Sequence, residues 1–184
     1  MLPSHLRDHL RHATSDQHAR LDAQFGALDL TGRAGYRAFL EASAAALMPL
    51  EDALEAAGVD DVFPDWEQRS RRTAMLDDLA RVGGTARPLK ADLSLDAGAV
   101  LGVMYVLEGS RLGARYLLKT VAKSSDPVVT SATRYLAHGA DGRLWQSFLV
   151  MLERHAAALS DDAGAIAGAR QAFDLFEQAA APVA

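Results

Sequence analysis

The run GAVLGVMYVLEGSRLGARYLLKTVAK, residues 98–123, decides the fold. It reads as one long helix, yet it carries Gly98, Gly102, Gly109 and Gly113 at spacings of four, seven and four residues. At roughly 100° per residue those spacings return every glycine to one narrow stripe of the helix surface. Each glycine weakens a helix interior by roughly 1 kcal/mol relative to alanine, so four in register imply that something approaches this backbone closely. Two occupants satisfy that requirement: a neighbouring helix packed through small side chains, or a flat bulky ligand.

Around this run the chain is rich in alanine and leucine and poor in β-branched residues, and its glycines and prolines fall mainly between periodic segments, which predicts an all-α fold. With 184 residues, 49% hydrophobic, and no linker-like stretch, residues 1–184 are expected to form a single domain, a bundle of about seven helices. The formal net charge of -5 argues against nucleic acid, whose backbone demands a basic face. Cysteine is absent, which removes disulfides, thiolate metal sites and thiol nucleophiles together. The opening MLPSHLRDHLRHATSDQH has no apolar core of a secretion signal, and the nearly apolar stretch 97–107 is too short to span a bilayer. A cytoplasmic protein with no membrane partner is therefore expected.

The helical segments follow from periodicity and punctuation. Pro3 and Ser4 open a first helix with apolar positions Leu6, Leu10, Ala13, Leu21 and Phe25, closed by Gly26. A second spans about 32–57, where Pro49 is expected to kink it and Gly58 closes it. Asp65 is the expected N-cap of a third, which stops at Gly83-Gly84. Beyond the glycine-striped helix, Asp126-Pro127 opens a short helix ending near His138, and LWQSFLVMLERHAAAL and AGAIAGARQAFDLFEQAA supply the last two.

Histidine is the residue type with most to say about chemistry. His5, His9 and His12 project opposite the leucines of the first helix, where water should reach them. His5 and His9 have the i, i+4 spacing of a zinc site but no third ligand on their face. His18 instead falls at the edge of the apolar stripe of Leu10, Thr14, Leu21 and Phe25, where a core histidine and a ligand are both natural readings. Asp22, one turn on, can take the Nδ1 proton and leave Nε2 for a metal. One imidazole without thiolates or a carboxylate cluster is a poor cage for a bare divalent ion, but it suits a metal already held by a macrocycle. Heme needs one axial histidine, a slot between apolar helices and cations near its edge, and the glycine stripe could form the second wall.

At this point two segments resemble a known family. LRHATSDQHARLD is similar to the proximal-helix motif of heme oxygenases, in which a threonine precedes the axial histidine by four residues. YVLEGSRLGARYL is similar to their distal helix, in which two glycines four apart lie over the heme. The wording LEGSRLG resembles most closely the bacterial branch associated with bacteriophytochromes. The resemblance implies that His18 is the iron ligand, that Asp22 hydrogen-bonds it, and that Gly109 and Gly113 are the distal glycines, leaving Gly98 and Gly102 for helix packing. It further implies a propionate role for Arg11 and Tyr105, and an aromatic wall from Phe173 and Phe176, with Thr14 beside the ligand.

The implied reaction is oxidative opening of heme at a meso carbon to biliverdin, CO and iron, with O2 and external electrons. No flavin, nicotinamide or iron–sulfur fingerprint is present, so a ferredoxin or reductase is the expected donor, and a bacteriophytochrome the expected acceptor of biliverdin. One departure stands out: Ser110 occupies the place where animal enzymes carry an aspartate, so the oxygen-activation network must draw on other groups, such as Arg111. The late-helix basic residues that grip propionates in the family have no clear match: Arg143, Arg154 and Arg170 are the candidates, and each also reads as a solvated surface charge. The competing functions are a heme-binding or storage protein without turnover, and a helical enzyme of the same fold such as a thiamin-pathway hydrolase, for which the missing cysteine is unfavourable.

Overall fold

A computed structural model describes residues 5–181, and all regular structure among them is helical. The order is α1 (His5–Ala13), α2 (Ser15–Gly26), α3 (Arg33–Ala56), α4 (Val59–Val62), α5 (Trp66–Arg69), α6 (Arg72–Val82), α7 (Ala97–Val121), α8 (Pro127–Ser131), α9 (Arg134–Ala137), α10 (Arg143–Ala156) and α11 (Ala163–Ala180). The long elements lie where periodicity predicts them. Three expected helices are each divided in two.

The first expected helix breaks at Thr14, whose buried hydroxyl donates to the Leu10 carbonyl at 2.7 Å. Pro3 and Ser4, its expected opening, lie outside the described residues. The third breaks at Ser70 and Arg71, because the buried Glu51 carboxylate accepts the Ser70 hydroxyl at 2.7 Å and the Arg71 backbone N–H at 2.8 Å. Asp65 makes no capping bond and instead accepts Arg69 Nε at 2.7 Å. The short helix after Asp126 is capped as expected, Val128 N–H donating to Oδ1 at 2.9 Å, but it ends at Ser131. There the buried Asp78 carboxylate takes the N–H groups of Arg134 and Tyr135, starting α9 afresh.

Inside α3, Pro49 has no N–H to give the Ala45 carbonyl. The Leu89 N–H supplies that bond instead at 2.9 Å, tying the irregular 84–96 segment to the helix. One apolar cluster gathers the buried residues of α1, α3, α6, α7, α10 and α11. Its tightest seam is α7 against α11. A Cβ built on Gly102 would stand 1.9 Å from the Ala165 carbonyl oxygen, and one on Gly168 would stand 2.4 Å from that of Ala99. Only glycine allows backbones this close.

No helix among the described residues is long and apolar enough to cross a membrane.

Candidate functional site

The glycine stripe serves two purposes. Gly98 and Gly102 are pressed against α11 backbone, which is helix packing. Past Tyr105 the same face emerges from the core: a Cβ on Gly109 would meet only the Trp145 ring, at 3.7 Å, and one on Gly113 would meet nothing within 4 Å. Leu112 and Tyr116 flank this strip as exposed apolar side chains, Tyr116 at 74% exposure. An uncovered backbone strip bordered by exposed apolar groups is a ready wall for a flat ligand.

On α2, the His18 ring is 64% exposed, and its Nδ1 lies 3.1 Å from Asp22 Oδ2. Nε2 has no hydrogen-bond partner among the described residues. The ring stands edge-on to Phe173 of α11, centroids 5.8 Å apart. Phe176 is buried one turn further along, as core. Thr14 is buried and its hydroxyl proton is spent on Leu10. The other first-helix histidines are exposed, and His9 Nδ1 pairs with Asp162 at 2.5 Å. Among the described residues, no group of three or more side chains could hold a bare metal ion.

Tyr105 of α7 lies between the Trp145 ring and the charges of α1. Its ring lies 6.3 Å from that of Trp145, over which Arg7 sits at 5.8 Å. Burial pushes the Tyr105 phenol up, and the charges of Arg7 and Arg11 draw it back down, so both cations of α1 stand within electrostatic reach of it. Arg143 and Arg154 are exposed, Arg143 pairing with Asp141, and Arg170 donates to the Ala13 carbonyl at 3.3 Å.

The reverse side of the distal segment holds a buried arginine cluster of which the sequence singled out only Arg111. Arg69, Arg71 and Arg111 are each at most 2% exposed. Arg111 does not reach the open strip. It grips Glu108 with two 2.9 Å bonds and donates to the Arg69 carbonyl at 2.6 Å and to His138 Nδ1 at 2.8 Å. Arg69 completes the group at 3.2 Å from Glu108. Because a guanidinium only donates, His138 must present an unprotonated Nδ1. Burial and the charges of Arg111 and Arg71 accordingly hold its pKa down at about 4.

Arg71 donates to the Leu107 carbonyl at 3.0 Å and to Ser110 Oγ at 2.8 Å, with its guanidinium 4.9 Å over the Tyr135 ring. The Ser110 hydroxyl in turn donates to Leu107 at 2.7 Å. A cation thus backs Ser110. The run Arg69-Ser70-Arg71-Arg72 looks like a solvated charge cluster in sequence. The available signal was Glu108, an acid on an otherwise apolar helix face that has to find a buried cation.

Two cavities lie away from His18. One of about 770 Å³ runs between Pro49 and the 88–93 segment; the other, about 410 Å³, is bordered by Trp66, Ser70, Arg134 and His138.

The sequence and the fold are similar to those of known proteins. The family model described as Heme oxygenase matches residues 63–181. The chain is 30% identical over 171 residues to Heme oxygenase PigA of Pseudomonas aeruginosa, covering 89% of this chain and 85% of that protein. It is 28% identical over 111 residues to a heme oxygenase of Xanthomonas campestris pv. campestris, covering 60% of this chain and 67% of that protein. The NO- and CO-bound heme oxygenase of Neisseria meningitidis shares its fold, with a TM-score of 0.75 at 24% identity over 98% of this chain and 91% of that one.

Proposed function

The chain belongs to the heme oxygenase family and is an enzyme of heme degradation, and on that premise we propose how its own residues hold and orient heme, its substrate. The residues present fit a macrocycle. His18 offers Nε2 as axial ligand, and Asp22 at Nδ1 fixes the tautomer and strengthens the imidazole as a donor. The open strip at Gly109 and Gly113 forms the opposite wall, and Phe173 stands beside the imidazole with Phe176 behind it. Arg11 and Tyr105, with Arg7 close by, form the polar edge suited to propionates. Thr14 supports the turn before His18 through its bond to Leu10. Bound heme supplies the iron at which oxygen is reduced and one of whose ring carbons is oxidised.

This reading rests most directly on the contrast within the stripe: Gly102 is jammed against a helix, whereas Gly113 faces open space. Ser110 and Arg71 replace a distal carboxylate. The serine oxygen is fixed by the Leu107 carbonyl and the Arg71 guanidinium, so a water next to it would be ordered by a positive field rather than by a negative charge. O2 and electrons come from outside, with a ferredoxin or reductase as donor. Biliverdin, CO and iron are the products, and a bacteriophytochrome is the acceptor that the LEGSRLG wording favours.

Heme titrated into the protein and reduced under air should give way to biliverdin absorption, with one isomer in product chromatography. A Soret band that survives repeated reduction unchanged would show a heme-binding protein without turnover.

A further inference from the structure

α2 carries His18, yet none of its residues is buried. Helices are ordinarily held in place by an apolar face. α1 obeys that rule by burying Leu6 and Leu10, and Thr14 after it is buried as well. α2 offers only partly buried Leu21 and Phe25, the latter edge-on to Phe39 at 5.0 Å.

Apart from the edge-on contact of His18 with Phe173, its side-chain attachment to α11 is polar. Gln17 Nε2 donates to Asp174 Oδ1 at 2.5 Å and to the Arg170 carbonyl at 3.3 Å. Arg20 makes two 3.0 Å bonds, one to each Glu177 oxygen. Gln24 Nε2 reaches the Glu177 carbonyl at 3.4 Å. Contacts of this kind are weak one by one and are screened by salt. The last is also imperfect, because Gln24 Oε1 is buried and meets no donor among the described residues. Turning the amide over would set its oxygen against the Glu177 carbonyl instead.

We propose that Gln17, Arg20, Asp174 and Glu177 form a polar clasp that positions His18 and opens to exchange a tetrapyrrole, while α1 and Thr14 stay fixed. None of the four needs to touch the ligand; they act through the helix that bears the imidazole. What passes through rests on the heme reading given above, but the clasp can be examined in the ligand-free chain.

Hydrogen exchange on that chain should show the amides of Ser15–Gly26 exchanging faster than those of α1 and α7, and faster still as NaCl is added. Glu177→Arg should raise α2 exchange about five-fold while leaving α7 unchanged, and the double variant Arg20→Glu/Glu177→Arg should restore most of the protection. With heme bound, transfer to apomyoglobin should be accelerated in Glu177→Arg and slowed again in the double variant. Exchange in α2 as slow as in α1 and indifferent to salt, or a double variant no better than the single one, overturns the clasp. Wild-type protein that takes up no heme would overturn the functional reading, while the exchange data would still decide the clasp.

Discussion

An added methyl group at Gly102 would lie 1.9 Å from a backbone oxygen of α11, whereas at Gly113 it would meet nothing within 4 Å. Gly102→Ala should therefore cost at least about 2 kcal/mol through forced separation of the two helices. Gly113→Ala should stabilise the ligand-free chain by roughly 0.5–1 kcal/mol, the ordinary helix preference for alanine. Urea denaturation of both variants checks this pair of opposite signs. Gly113→Leu should keep the fold and lose heme affinity; full affinity would make the position inert surface. The buried charges permit a further test. Glu108→Gln leaves Arg69 and Arg111 short of their carboxylate and should cost about 3–5 kcal/mol, read from the same denaturation curves. The stripe itself was legible in sequence because glycine spacing is a local property. Which half packs and which half stays open came from the family resemblance and not from the spacing, since the packing partners arrive from residues 164–169. The arginine cluster was hidden for the same reason: beyond the local Asp65, Arg69 finds its buried carboxylate in Glu108 of α7, and the Arg71 backbone N–H finds Glu51 of α3.

Helix identity came from periodicity, and periodicity was a sound guide to α3, α7, α10 and α11. The missed breaks all lie where a distant buried carboxylate or a buried hydroxyl captures backbone groups, at Thr14, at Ser70-Arg71 and before Arg134. Composition carries no mark of such partners. Pro49 shows the converse, a sequence signal whose consequence lies elsewhere. It was expected to disturb α3, and what it does is free the Ala45 carbonyl for Leu89. Pro49→Ala restores an N–H that competes for that oxygen, so the Leu89 amide should lose protection in hydrogen exchange while α3 gains it. Undiminished protection at Leu89 would show that apolar contacts alone hold the 84–96 segment.

For the molecule as a whole, the charge cluster behind the distal segment sets a pH limit. His138 is neutral when folded, with a pKa of about 4, whereas an unfolded histidine titrates near 6.5. Between those values the unfolded chain binds the extra proton, so stability is full above about pH 6.5 and falls as pH drops towards 4. Asp78, whose carboxyl burial pushes up, acts in the opposite sense over the carboxylate range and offsets part of the loss. His138→Gln should flatten the pH 4–6.5 portion of the profile, measured as urea midpoints. The most direct examination of the account as a whole is resonance Raman spectroscopy of the ferrous heme complex. An iron–imidazole stretch should be present in the wild-type protein and absent from His18→Ala. Retention of that band in the variant would contradict the claim that His18 of α2 holds the iron facing the open strip of α7.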